Sequence, residues 1–288
     1  MPDNIFCAAQ TVALAEMTTM GVGGSASRFY QPRTVDSLRT LVARLHADGE
    51  RPFFLGAGSN TVCRSGEIDR PVVSLRALKR SELRGETLYV QAGVMLLPLV
   101  RRTAEEGLSG LEPLVGIPGS IGGAIAMNAG GRHGTIRDLI EEVEFVEPNG
   151  RLVRRPRGEL NFSYRRGPQS DAEVIVGARL RLARERPEAV LERMRRILRE
   201  KVSRQPLAAR SAGCVFRNPP GASAGYLIER VGLRGHRLGG ARFSERHANF
   251  IVNAGGATFD QVVELMRLAA RRVLDAFGVT LEPEITIL

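Results

Sequence analysis

The chain has 288 residues, 43% of them hydrophobic, and a formal net charge of +10 in which lysine is represented only by Lys79 and Lys201. Its three scattered cysteines form no C-x-x-C pair and its four histidines no H-E-x-x-H spacing, which excludes a disulfide framework and a dedicated metal site. No apolar run reaches the ~18 residues of a spanning helix, and the N-terminus MPDNIFCAAQTVALAEM has no basic region ahead of its weakly apolar stretch, which predicts a cytoplasmic protein with no signal peptide and no membrane partner.

Leu38, Leu41, Val42 and Leu45 recur at helical spacing and predict a helix over 34–48, with Thr34 as its N-cap and Gly49 just past its end. PFFLG, PVVSL and TLYVQAG read as strands, and 95–106 as a second helix. From Gly107 to Gly134 the chain is rich in glycine without being of low complexity. VEFVEPNGRLV is a hairpin, because Asn149-Gly150 between alternating apolar residues is a strong turn signal. AEVIVGARLRL continues as a strand, and 187–203 as a basic amphipathic helix opened by Pro187. QPLAARSAGC is expected to be a loop. SAGYLIERVGL follows as a helix capped by Ser223, and ANFIVN as a short strand. A long amphipathic helix then runs from near Thr258 to just before Gly278, and TLEPEITIL is a final strand. There are no internal repeats, and a boundary is expected near 195–205, between an α+β portion and a smaller α/β module.

A basic balance favours anionic partners. The densest arginine set, LERMRRILREKVSRQ, is interleaved with Glu192 and Glu200 and reads first as a solvated helix face, with nucleic acid as the rival partner. LGAGSNT, Leu55 to Thr61, follows a strand but lacks the third glycine of a dinucleotide fingerprint, and VCRSGEIDRP does not continue as a helix. No lysine makes it a Walker loop. Two readings stay open: a plain turn, or an anion nest of backbone N–H groups with Ser59 and Asn60. GIPGSIGGAIAMNAGG, Gly116 to Gly131, is a second glycine loop, suited either to close packing or to close approach by a flat or charged ligand.

GAGSNT together with GIPGSIGGAIAMNAG resembles the flavin-binding fold of the vanillyl-alcohol-oxidase/PCMH type. The further series FSYRR, SAGCVFRNP, AGYLIERVGLRGHRLGGARFSERHANFIVN and LEPEI is similar to the UDP-N-acetylenolpyruvoylglucosamine reductases, the flavoenzymes that complete UDP-N-acetylmuramate for peptidoglycan. MTTMGVGGSASRF fits as well, with Met20 where that family usually has Phe. The chain resembles the shorter type, which lacks a tyrosine-bearing insertion, and the resemblance runs from about Thr18 to Ile285.

That likeness implies an α+β fold: a two-lobed FAD-binding region, 1–75 and 76–198, and a C-terminal α/β substrate-binding domain, 199–288, whose last strand, 280–288, returns toward the active site. It implies FAD and NADPH as cofactors, UDP-N-acetylenolpyruvoylglucosamine as substrate, no nucleic-acid partner and a monomer. It implies FAD contacts at Gly56, Ala57, Gly58, Ser59, Asn60 and Thr61, and at Gly116, Pro118, Gly119, Ser120, Gly122 and Gly123. Arg165 matches the family's catalytic arginine, with Gly167 in place of a common serine. Glu284 matches the C-terminal glutamate, and Glu282, two residues away, is expected on the same strand face. Cys214 stands where most members carry a serine proton donor; a thiol, at a reference pKa of about 8.5, gives up a proton far more readily than a hydroxyl. Tyr164, Arg204, Arg217 and Asn218 are implied substrate contacts. MNAGGRHG replaces MNAGAYG, so Arg132 and His133 stand beside the cofactor segment, and His133 is expected to be an exposed loop histidine. Cys7 and Cys63 are expected to be inert. The rival within the fold is a carbohydrate or alcohol oxidoreductase using FAD.

Overall fold

The computed structural model describes residues 10–288, and the N-terminal expectations about Cys7 and a leader fall on residues outside them. The chain folds as two compact units, one built from Arg28–Ala57 and Asp69–Glu200, the other from Thr11–Ser27, Gly58–Ile68 and Lys201–Leu288.

In the first unit a five-stranded antiparallel sheet runs in the order Leu152–Pro156, Ile140–Val146, Val174–Arg181, Thr87–Gln91, Ser81–Arg84. Its central strand feeds both faces: Val174 and Val176 join one core with Leu38, Leu41, Val42 and Leu45, while Ile175 and, past an irregularity in the pairing at 175–177, Ala178 and Leu180 join another. Both faces of the sheet are therefore covered. Helix α1, Val35–Ala47, supplies the first cover, and Thr34 caps it, its hydroxyl accepting from the Ser37 N–H at 3.1 Å. Such a cap contributes about 1 kcal/mol. Helix α2, Leu96–Glu105, buries Leu96, Leu99 and Val100 in the second core. The hairpin signal at Asn149-Gly150 holds: Val146 pairs with Leu152, and Gly150 takes a φ of +79° in the connecting turn. A smaller parallel arrangement sets Phe53–Leu55 and Phe29–Tyr30 on either side of Val72–Ser74, the strand signalled by PVVSL.

Helix α3, Ile121–Ala126, corrects the expectation of an uninterrupted glycine loop from Gly116 to Gly131. Ser120 is its N-cap, accepting from Gly123 N–H. Packing overrides glycine's poor propensity here: a Cβ on Gly122 would lie 2.7 Å from the Ala92 Cβ, so only glycine lets the helix sit this close to the strand end. Helix α4, Pro187–Arg204, follows as expected and buries only Val190 and Ile197.

In the second unit a four-stranded antiparallel sheet has the order Ser211–Cys214, Phe250–Asn253, Ala241–Phe243, Arg237–Leu238. The expected loop over 205–214 is thus corrected at its end, where Ser211 pairs with Val252 and Cys214 with Phe250 around an irregularity at Gly213, which has a φ of +79°. Helix α5, Ala224–Arg230, is capped by Ser223. Helix α6, Phe259–Phe277, carries a Thr258–Gln261 capping box and ends at Gly278 in the left-handed conformation, φ +67°. Both helices bury Leu227, Ile228, Leu265, Met266 and Val273 with Phe216, Phe243 and Ile251. Of the final strand only Thr286–Ile287 makes a ladder, parallel to Thr61–Val62. Among the described residues no helix is long and apolar enough to cross a membrane.

Candidate active site

Arg165 lies in the first unit, in a two-residue turn. Ser163 N–H donates to Arg166 O at 3.0 Å and Arg166 N–H to Ser163 O at 3.2 Å, with Tyr164 and Arg165 at the tip. Arg165 takes a φ of +55°, and Asn128 a φ of +43°; among the described residues these are the two non-glycine positions in the left-handed region. Holding an arginine there costs about 1–2 kcal/mol, and such strain concentrates at functional sites. The two belong to one network. Asn128 Nδ2 donates to Ser163 O at 2.9 Å, and Arg165 Nη1 to Gly130 O at 2.9 Å. The guanidinium also lies over the Tyr164 ring, 5.5 Å from its centroid. Tyr164 is 55% exposed, so it presents its ring outward and does not fill the core. Arg166, the competitor on composition, is exposed with ordinary backbone.

Gly167 fastens this turn to α3. Its N–H donates to Ala126 O at 2.8 Å, and a Cβ there would overlap the Ile125 carbonyl oxygen and come within 2.6 Å of Gln169 Oε1. A serine has no room, which explains the departure from the common pattern.

At the other end of α3, a Cβ on Gly56 would stand 2.6 Å from Ser120 Oγ, so the two glycine segments meet here as bare backbone. The first N–H groups of α3 are already taken: Ile121 by Val94 O, Gly122 by Ala92 O, Gly123 by Ser120 Oγ. The helix start is therefore no anion site. Arg76, half-buried, grips the neighbouring carbonyls instead, Nε on Gly56 O at 3.1 Å and Nη2 on Ala57 O at 2.8 Å. Burial lowers its pKa. Gly58 is a buried residue, and its N–H finds no acceptor among the described residues. An unsatisfied buried donor in a glycine nest fits a flavin-nucleotide pyrophosphate. Gly58 itself, φ +71°, is glycine for the chain's own sake, since a Cβ would overlap Met17 O. Thr61 is buried in its ladder with Thr286.

The segments that carry Cys214 and Glu284 run side by side in the second unit. Glu284 N–H donates to Val215 O at 2.8 Å, Arg217 N–H donates to Glu282 O at 2.9 Å, and Phe216 bridges Pro283. Asn60 Nδ2 donates to Glu284 O at 3.1 Å, tying the GAGSNT segment to the glutamate. Glu282 is 73% exposed and 3.9 Å from Arg217 Nη1, whereas Glu284 is half-buried. The two carboxylates thus have different surroundings. Asn218 Oδ1 accepts from Ala224 N–H at 3.0 Å and so starts α5. Arg204 is exposed at the end of α4. Cys214 is half-buried, while Cys63 is fully buried and its thiol is pushed up to about 11 by that burial.

No local signal marks three further residues. Asn249, 2% exposed, clamps the Cys214 segment: its Oδ1 accepts from Phe216 N–H at 3.0 Å and its Nδ2 donates to Phe216 O at 2.8 Å. Its own carbonyl accepts from Val215 N–H at 2.8 Å. Arg76 is the second. Glu200 on α4 is the third, pairing with both Arg132 and His133.

Bare backbone suited to a flavin nucleotide at one end of α3, and an arginine held against its backbone preference at the other, fit an FAD-dependent reductase, the class to which the comparisons with known proteins assign the chain. Residues 26–155 match the family model described as FAD binding domain, and 205–288 the one described as UDP-N-acetylenolpyruvoylglucosamine reductase, C-terminal domain. Curated UDP-N-acetylenolpyruvoylglucosamine reductases are similar along nearly the whole chain. The protein from Desulfosudis oleivorans is 42% identical over 95% of this chain and 92% of its own length, and that from Aquifex aeolicus 36% over 97% and 94%. The crystal structure of the reductase from Thermus caldophilus superposes with a TM-score of 0.84 at 36% identity, covering 97% of this chain and 98% of its own. The chain belongs to the UDP-N-acetylenolpyruvoylglucosamine reductase family. That membership decides between the two flavoenzyme readings in favour of the reductase.

Proposed function

We propose that this protein reduces UDP-N-acetylenolpyruvoylglucosamine to UDP-N-acetylmuramate with NADPH, as a cytoplasmic monomer serving peptidoglycan synthesis. FAD, when bound, supplies the relay of hydride from NADPH to the enolpyruvyl group. The backbone of Gly56–Ser59 and of Gly116, Pro118, Gly119 and Ser120 holds the cofactor, while Asn60, Thr61, Gly122 and Gly123 shape the segments that carry it.

Hydride reaching the substrate's methylene carbon leaves negative charge on the adjacent carbon, delocalised into the carboxylate. Arg165 binds that carboxylate through two parallel N–H donors and tightens its grip as charge accumulates. Glu284 works with Arg165 on the same enolate-like species. The Cys214 thiol then delivers its proton to the carbon that carried the charge, and the thiolate regains a proton from solvent. Tyr164, Arg204, Arg217 and Asn218 meet the sugar and diphosphate.

One observation supports this most: the segment bearing Cys214 and the segment bearing Glu284 are hydrogen-bonded side by side through Val215 and Glu284. Anaerobic stopped-flow with NADPH, and then with the enolpyruvyl nucleotide, tests it. Cys214→Ala is expected to bleach the flavin at close to the normal rate and to reoxidise it at least ~100-fold more slowly. Cys214→Ser retains appreciable turnover. Equal loss in both half-reactions of Cys214→Ala would remove the proton-donor role.

A further inference from the structure

The geometry points to Glu200 as a positioning residue for Arg165, acting through the hairpin Gly130–Thr135. Three observations in the first unit join up. Arg165 Nη1 rests on the Gly130 carbonyl at 2.9 Å. Gly130 opens a short antiparallel hairpin in which it pairs with Thr135 and Gly131 pairs with Gly134. At the tip of that hairpin, Arg132 pairs with the Glu200 carboxylate, and His133 Nε2 lies 3.1 Å from Glu200 Oε2, to which it donates as the Nε2–H tautomer.

The base of the hairpin packs against the turn Glu112–Leu114, whereas its tip carries only polar side chains. Its residues 130–135 are four glycine, arginine and histidine types followed by Gly134 and Thr135, with no apolar side chain to bury. Its base is fixed, since Ile136 N–H donates to Ala129 O at 2.9 Å and Asp138 Oδ2 accepts from Thr135 N–H and Oγ1. The tip is anchored to α4 by the Glu200 carboxylate. Glu200 lies in a regular helix with 27% of its side chain exposed, so it is a firm anchor and its ion pair with Arg132 is partly shielded from solvent. The hairpin whose first carbonyl orients the guanidinium is thereby tied at its far end to a helix remote in sequence. This accounts for Arg132 and His133 in the MNAGGRHG segment, where the family commonly has small and aromatic residues.

The inference rests on the assignment of Arg165 to the substrate carboxylate, and the experiment separates the two. Glu200→Gln and the double variant Arg132→Ala/His133→Ala are compared with Arg165→Ala in the holoenzyme, by half-reaction kinetics and by amide hydrogen exchange. Glu200→Gln is expected to speed exchange both in 130–135 and in 163–166, and to slow flavin reoxidation by the enolpyruvyl nucleotide about tenfold. NADPH-driven bleaching and the flavin spectrum stay unchanged. The double variant gives the same fold-change, and combining it with Glu200→Gln adds nothing more. Arg165→Ala crippling reoxidation while Glu200→Gln leaves it at the wild-type rate would overturn the positioning role alone. Unaltered reoxidation in Arg165→Ala would overturn the assignment beneath it. A Glu200→Gln effect equal in both half-reactions would mark a merely structural contact and also overturn it.

Discussion

Asn249→Ala removes the clamp on the segment that carries Cys214. In the folded protein Asn249 gives one acceptor to Phe216 N–H and one donor to Phe216 O, at 3.0 and 2.8 Å, and both side chains are 2% exposed. Alanine leaves two buried backbone groups without partners, each worth about 1–3 kcal/mol. The vacated volume admits a water that restores part of this, so a loss of about 3 kcal/mol is expected. For a chain of this size that lowers the melting temperature by on the order of 10 °C. Urea unfolding of the holoenzyme, followed by far-UV circular dichroism, reads it. Asn249→Asp keeps the acceptor for Phe216 N–H but sets a carboxylate against the Phe216 carbonyl, so it is expected to be no more stable than alanine. Val215, the next residue back, bonds Asn249 O on one side and Glu284 N–H on the other. Flavin reoxidation by substrate therefore falls in both variants at temperatures where they stay folded. A stability loss below ~1 kcal/mol in the alanine variant would refute the reasoning, because it would mean the Phe216 backbone finds other partners at no cost.

Gly167→Ser is expected to destabilise by about 1–3 kcal/mol, and to weaken substrate turnover more than NADPH oxidation, since a Cβ there overlaps the backbone under the Arg165 turn; thermal unfolding and half-reaction rates check it. Arg155, bonded to Glu173, holds that carboxyl below its ordinary value of 4.5 despite its burial. A depressed folded pKa gives stability that is present above the unfolded value and lost as pH falls through the folded one. Glu173→Gln should thus cost about 1 kcal/mol at pH 7, and a pH series of denaturant midpoints should show the difference closing under acid conditions below 4.5. Of Cys63 and Cys214, iodoacetamide at mildly alkaline pH should modify Cys214 first, because burial pushes the Cys63 thiol up to about 11; peptide mass spectrometry reads the order.

Local chemistry was legible and distant pairing was not. Thr34, Ser223 and Thr258 announce helices because a cap needs only its own residue and one three positions on. Asn149-Gly150 announces a hairpin for the same reason. The strand Ser211–Cys214 gave no such signal: its polar, small residues are extended because Phe250–Asn253 offers a ladder. Helix α3 was hidden by its glycines, whose low propensity is overridden by the Ser120 cap and by contact with Ala92. In the site, the motif residues Arg165, Cys214 and Glu284 could be picked out through resemblance to a family. The residues that set them in place could not, because Asn249, Arg76 and Glu200 act on backbone atoms or charges far away in sequence.

Helix α3 shows what this division of labour accomplishes. It has only six residues, yet each end does a separate job. Ser120 at its start faces Gly56, where the two bare backbone segments suited to a flavin nucleotide meet. Its last residue, Ala126, accepts from Gly167 N–H and from Gln169 Nε2, and Asn128 just beyond holds Ser163 O. The turn bearing Arg165 is therefore hung from the same short helix that abuts the cofactor segment. A helix of this length is not stable alone, so its position is dictated by the sheet through Ala92 and Val94. Cofactor segment and guanidinium are registered to one another by the rigid sheet, and the left-handed strain at Arg165 and Asn128 persists because Gly167, Gly130 and Ser163 each bind its surroundings from a different side.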